Sequence, residues 1–424
     1  MIPYLKLSVA TCHYRGIALL ASVVFVLSVG VVRAGENTRK DKLLARQLTG
    51  RSEQVRLRAI NQLVADSEYR HSVLPTVIEA ARKLAAEVSA DELVRPTTVR
   101  LMNLIGAIDD SDSEAFLVEL LDDDHVGIAM VAADVLAQNK RYGAIEFLKR
   151  QIDRDEFETS YGFRYNLLRS IAVMQHPDAV EFLGEIEPKL EGQLQFEVEK
   201  LLRSVTDAHF LGDTKRYDRW VASRKPKIVL QNASFNSQSG GRIRFGKPQK
   251  YYDIDIHAKR MMFVIDRSGS MKDYDKGMTR LDRAKLELSR VIRGLPFDVE
   301  FGITFFESSV RQWREELVPA TEENKVEALT FIDRLGYGDR TNTYGALRES
   351  LEFDAQLEVV FLLSDGRPTA GKILAPNMIV DDIMHRNRFR HVNFNTIGIA
   401  VTGGTESFLK ALADRSSGEY RAAN

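Results

Sequence analysis

The chain of 424 residues has a single cysteine, eight histidines, two tryptophans and a formal charge of only -1. One thiol excludes a disulfide-stapled small fold and a thiolate zinc cluster. Near-zero net charge argues against nucleic acid as the main partner, because phosphate binding needs a dense excess of lysine and arginine on one face. With 44% hydrophobic and 28% charged residues the composition is that of an ordinary globular protein, with length for two or three domains. Bulk charge is therefore not what attracts a partner.

One uncharged apolar run stands out, residues 16–32 (GIALLASVVFVLSVGVV), behind a short start carrying Lys6 and Arg15. It has the form of a secretory signal, with cleavage expected after Ala34. The alternative is an uncleaved membrane anchor, since 17 apolar residues sit at the lower limit of a span. Removing residues 1–34 takes Lys6, Arg15 and Arg33 and no acid, which moves the net charge from -1 to -4, and it also removes Cys12. The expected mature protein is cysteine-free and exported: secreted, periplasmic or at the cell surface.

Residues 41–205 are poor in glycine and proline and carry apolar residues at helical spacing, as in Val55, Ala59, Ile60, Leu63 and in Val99, Met102, Leu104, Ile105. An all-helical domain is expected there. The triplets Glu119-Leu120-Leu121, Glu146-Phe147-Leu148 and Glu181-Phe182-Leu183 recur at spacings of 27 and 35 residues, which suggests stacked helical hairpins. Residues 122–148 (DDDHVGIAMVAADVLAQNKRYGAIEFL) resemble a HEAT-type repeat, with Asp122, Asp123 and Asp124 expected to cap the following helix. Gly127 departs from that pattern, standing where the family usually has arginine. Residues 206–259 change character, with Trp220 placed to anchor the end of the array and a polar stretch at 232–241 (NASFNSQSGG), and read as a linker.

From residue 260 onward, short apolar runs at 261–265, 299–305, 359–363 and 392–399 alternate with amphipathic helices near 279–293, 322–335, 344–353, 376–386 and 405–416. That alternation predicts an α/β, doubly wound, Rossmann-like domain with a parallel sheet, whose ligands sit at the carboxyl ends of the strands. Three loops open from those ends: Asp266-Arg267-Ser268-Gly269-Ser270, a segment offering Thr341, and Ser364-Asp365-Gly366-Arg367. Together they supply two carboxylates and three hydroxyls, and no nitrogen or sulfur. Such an all-oxygen set suits a hard divalent cation, Mg2+ first, with Mn2+ or Ca2+ as alternatives. Five protein groups leave an open position, which favours a carboxylate from outside.

Asp266-x-Ser268-x-Ser270 after an apolar strand, Thr341 before a helix and Asp365 in a Ser-Asp-Gly turn resemble the metal-ion-dependent adhesion site of the von Willebrand factor type A family. The resemblance runs from residue 260 to 424 and fills all five motif positions. It implies that Ser268, Ser270 and Thr341 are direct or switchable ligands and that Asp266 and Asp365 bind directly or through water. It also implies a protein partner presenting an Asp or Glu carboxylate to the metal. Arg267, Arg340 and Arg367 lie beside the loops and are candidates to guide that partner.

Asp273, Asp275 and Gly277 do not make a calcium loop, because Gly277 falls on a ligand position and Ala284 where the bidentate glutamate belongs. His71, His125, His176, His209, His257, His385 and His391 are scattered and form no zinc-type pair. The expectation is a non-enzymatic interaction or adhesion protein. Its alternatives are a scaffold working mainly through the helical surface and a metal-dependent hydrolase.

Overall fold

The computed structural model describes residues 39–206, except residue 91, and residues 248–423. The apolar segment 16–32, the cleavage position after Ala34, Trp220 and the polar stretch 232–241 lie outside the described residues. Contacts divide the chain into two compact units, one ending at Ser113 and the other beginning at Glu114.

The first unit is helical. A helix over 39–49 is followed by Glu53–Ala65, Ser67–Ser72, Leu74–Ala86 and Pro96–Gly106. Their starts follow from local chemistry: the Ser52 side chain accepts from Val55 N, that of Asp66 accepts from Tyr69 N, and prolines occupy the first turns at Leu74 and Pro96. Ala59, Ile60, Leu63 and the whole set Val99, Met102, Leu104 and Ile105 are buried as their spacing predicts, whereas Val55, in the first turn, is exposed.

The second unit continues with Val126–Gln138, Ile145–Arg150, Asp155–Thr159, Tyr161–Met174, Pro177–Ile186 and Gly192–Thr206. The repeated triplets all bury their last residue, Leu121, Leu148 and Leu183. The cap expected from Asp122–Asp124 is made differently. His125 is the N-cap and its Nδ1 accepts from Ile128 N at 3.3 Å. Asp123 accepts from His125 N at 2.8 Å, and Asp122 takes Gln151 Nε2 at 2.8 Å. The acids thus hold the capping residue and a neighbouring helix, one step removed from the helix end.

After residue 248 the chain forms strands β1 (Gln249–Tyr251), β2 (Ile254–Ile256), β3 (Arg260–Asp266), β4 (Tyr274–Asp275), β5 (Met278–Thr279), β6 (Glu300–Phe306), β7 (Val310–Gln312), β8 (Val318–Pro319), β9 (Val359–Ser364), β10 (Asn393–Ile399) and β11 (Tyr420–Ala423). The main sheet runs β11-β10-β9-β3-β6-β7, with β8 also pairing β6. The five strands from β11 to β6 are parallel, and β7 and β8 add antiparallel pieces at one edge. The sheet is therefore mixed where a parallel one was expected. β7, β8 and β11 are short, and such segments carry no readable period. Residues 249–256, assigned to the linker in the sequence, form a hairpin whose Tyr251 and Ile254 belong to the core.

Side chains alternate across β3. Met261, Phe263 and Ile265 pack with Leu288 and Ile292 of the helix Arg280–Gly294 and Ala328 of Glu322–Asp333. Met262 and Val264 pack on the other face with Leu347 of Thr343–Glu352, Ile383 of Pro376–Asn387 and Leu409 of Gly403–Arg415. Two buried faces on one sheet define the doubly wound form.

The helices of residues 161–197 sit on the amino-terminal edge of this sheet. Glu358, just before β9, accepts from Lys259 N at 2.8 Å and from Gln193 N at 3.2 Å. Asn393, opening β10, donates to Glu197 at 3.2 Å, and Tyr161 N donates to Ala355 O at 3.2 Å. Gly162 lets the backbones touch, since a Cβ there would lie 2.1 Å from Phe389 O. The carboxyl edge is left to the loops.

Candidate metal-binding site

In the strand order, β3 lies between β6 and β9, so the chain leaves β3 toward one side and later returns on the other. The crevice at the carboxyl ends of β3 and β9 is the topological switch point, where open α/β sheets bind ligands. Asp266 ends β3, and Asp365 follows Ser364 at the end of β9.

Hydrogen bonds hold these loops together. Asp266 is fully buried; it accepts from Ser268 N at 2.8 Å and from the Ser364 hydroxyl at 2.6 Å. Ser270 Oγ donates to Asp365 Oδ1 at 2.8 Å, and the Ser268 and Ser270 hydroxyls lie 3.3 Å apart. Thr341 is clamped by its backbone: its N donates to Thr369 Oγ1 at 2.9 Å, and its O accepts from Thr369 N and Ala370 N at 2.9 and 3.1 Å. A Cβ built on Gly366 would lie 3.6 Å from Ser270 Oγ and 3.8 Å from Thr341 Oγ1, so both hydroxyls face the same small space as Gly366. The first two loops are tied by Gly338 N to Arg267 O at 2.6 Å and by Gly269 N to Asp339 O at 2.9 Å.

The structure brings all five sequence-predicted oxygen donors to one edge. Their spacing fits a small hard cation: ligands of a six-coordinate ion at about 2.1 Å lie roughly 3 Å from their neighbours, and the Ser268–Ser270 and Ser270–Asp365 separations are 3.3 and 2.8 Å. Among the described residues no cluster of three or more His, Cys, Asp or Glu forms a metal site, so a cation at this edge depends on hydroxyls. Burial, with the Asp365 charge adding to it, pushes the Asp266 carboxyl up to about 7, against the pull of its Ser364 and Ser268 hydrogen bonds. A carboxylate removed from water in this way gains from a bound cation.

Two partners were not foreseen. Arg280 Nη1 pairs with Asp365 Oδ2 at 2.7 Å, where the Asp365 side chain has no exposure. Ser364 orients Asp266. Arg280 lies 85 residues from Asp365 in sequence and Ser364 lies 98 from Asp266, so no local spacing announces either contact. The three flanking arginines differ. Arg267 is engaged internally, donating to Gly336 O at 3.0 Å, lying 3.8 Å from Glu307 and stacking over Phe305. Arg340 and Arg367 are exposed, and Arg367 lies against Gly404 at the start of the helix Gly403–Arg415.

Residues 261–367 match the family model of the von Willebrand factor type A domain. The chain carries a von Willebrand factor type A domain after its helical region. The human von Willebrand factor A domain-containing protein 3B is 28% identical over 185 residues, 43% of this chain and 13% of that one. Inter alpha-trypsin inhibitor heavy chain 4 of Mus musculus is 26% identical over 152 residues, 32% of this chain and 16% of that protein. Among solved structures, a von Willebrand factor type A protein from Catenulispora acidiphila is 17% identical, with a TM-score of 0.34 and coverage of 40% of each chain. The chain thus spans less than a fifth of these two curated relatives.

Proposed function

We propose that this protein is an exported, non-enzymatic interaction protein whose type A domain binds a protein partner through a divalent cation. Asp266, Ser268, Ser270, Thr341 and Asp365 hold the ion, Mg2+ in the first instance, and an Asp or Glu carboxylate of the partner completes its coordination. The cation supplies the charge that fixes the incoming carboxylate; the chain's own residues hold the loops in register and keep Asp266 away from water. Arg340 and Arg367, exposed beside the loops, draw an acidic partner in.

The observation that carries this reading is the convergence of five oxygen donors at the carboxyl edge, while the opposite edge is covered by helices. The relatives support it at the level of interaction: the heavy chains are named for an inhibitor and share the type A domain. The HEAT-like array over 41–205 offers a second surface, and export rests on the signal-like residues 1–34.

The test is a pull-down from the exported fraction with and without EDTA. Partner recovery is expected to be lost in EDTA and restored by excess Mg2+, and lost in Asp266→Ala, whose circular dichroism stays nearly unchanged. Recovery insensitive to EDTA would transfer the function to the helical surface.

A further inference from the structure

Among the described residues of the first helical unit, one buried charge has no carboxylate paired with it. Arg56, in the helix Glu53–Ala65, is only 4% exposed. It donates from Nη1 to Gly50 O and from Nε to Thr97 Oγ1 at 3.3 Å, both neutral acceptors. It lines a cavity of about 710 Å3 together with Arg51, Lys83 and Arg95, so four cations surround the space against two carboxylates, Glu53 and Glu87. Among the described residues no carboxylate lies within ion-pair distance of any of the four. Glu53 reaches Arg56 only through the Thr97 hydroxyl, which accepts from Arg56 Nε and donates to Glu53 at 3.5 Å. Arg51, Lys83 and Arg95 are exposed and form a charged rim around the buried guanidinium.

Burying an unpaired guanidinium is costly, and helical proteins ordinarily place a carboxylate beside one. Here two bonds to neutral oxygens fix the guanidinium in place and leave its other N–H groups for a ligand. A planar fork flanked by three exposed cations suits a tetrahedral oxyanion, which takes two parallel bonds from arginine and further charge from lysine. The volume is in the range of small-molecule sites. The helix Pro96–Gly106 adds to this, since Arg95 at its start provides no side-chain cap and leaves the positive end of the dipole uncapped by a side chain.

We propose that this cavity is an anion site for a phosphate or sulfate group, with Arg56 as its buried anchor and Arg51, Lys83 and Arg95 as its rim. It is independent of the metal edge of the type A domain and stands whether or not that edge binds a cation.

The test uses the full chain, with divalent ions first removed on a chelating resin. Inorganic phosphate, sulfate and pyrophosphate are titrated calorimetrically at low salt, and thermal midpoints are read alongside. Binding of at least one anion in the millimolar range or tighter is expected, weakening with salt, and a preference among the three identifies the group. Lys83→Gln combined with Arg95→Gln, both surface changes, should weaken binding about tenfold or more, and Arg56→Gln should abolish it. Wild-type protein showing no binding at concentrations on the order of 10 mM would overturn the proposal. So would unchanged binding in the folded double variant. If Arg56→Gln does not fold, the double variant decides alone. If Arg56→Gln folds with lower stability and binds as before, Arg56 is a structural clamp only and the proposal fails.

Discussion

At the scale of single residues, the candidate metal site is a set of ligands plus the groups that hold them. Ser364 is one of the latter, because its hydroxyl fixes one oxygen of Asp266 while Ser268 N fixes the other. Partners that orient a ligand commonly change metal affinity by about 10–100-fold when removed. Ser364→Ala should therefore weaken Mg2+ binding by that order in calorimetry, with little change in circular dichroism; an unaltered affinity would mean that Asp266 is not a ligand. The five donors were legible in the sequence because each sits in a loop next to its strand and the residue types are distinctive. Ser364 and Arg280 were not, since a serine at a strand end and an arginine opening a helix are ordinary residues until folding sets them beside Asp266 and Asp365.

At the scale of elements, the strands and helices of the type A domain follow from alternation of short apolar runs with amphipathic segments. All four predicted strands and all five predicted helices appear within a few residues of their places. Sequence alone did not reveal the pieces that derive their structure from neighbours. β11 exists because β10 offers a parallel edge at Thr396–Ile399, and β7 because β6 turns back on itself. The same holds where the helix Tyr161–Met174 meets the loop before β10. Gly162 there approaches backbone atoms, with Phe389 O at 2.1 Å and Arg390 Cα at 2.9 Å from a Cβ built on it. Backbone cannot swing aside as a side chain can, so Gly162→Ala should cost about 1–3 kcal/mol or more. Scanning calorimetry should show a lower midpoint, with the helices melting ahead of the type A domain; a variant melting like wild type would show that the two elements are not coupled there.

At the scale of the molecule, the helices of residues 161–197 are joined to the sheet through a buried polar junction centred on Glu358. Burial pushes the Glu358 carboxyl up to about 7, against the donors Lys259 N and Gln193 N and the charge of Arg164. Tyr161 and Glu197 lie near it, and the Glu358 backbone N donates to Arg260 O at 3.1 Å. In the unfolded chain this group loses its proton near 4.5; in the folded protein it keeps it to about 7. Its contribution to stability is complete below about 4.5 and is withdrawn as pH rises to about 7. The whole change is roughly 3 kcal/mol at about 1.4 kcal/mol per pKa unit. Glu358→Gln keeps an oxygen acceptor and removes the titration. Denaturant unfolding at pH 5 and pH 8 should therefore show a smaller loss of stability in the variant than in wild type, and equal losses would remove Glu358 from the account.

Residue order by itself determined the two kinds of architecture and the all-oxygen donor set, because periodicity and loop composition are local properties of the chain. Tertiary structure alone decided that helices cover the amino-terminal edge of the sheet and leave its carboxyl edge to the loops that carry the five oxygen donors. It also set Arg280 against Asp365 and left Arg56 without a directly paired carboxylate among the described residues. Those outcomes depend on which distant surfaces exclude water together, and no local pattern in the chain encodes that.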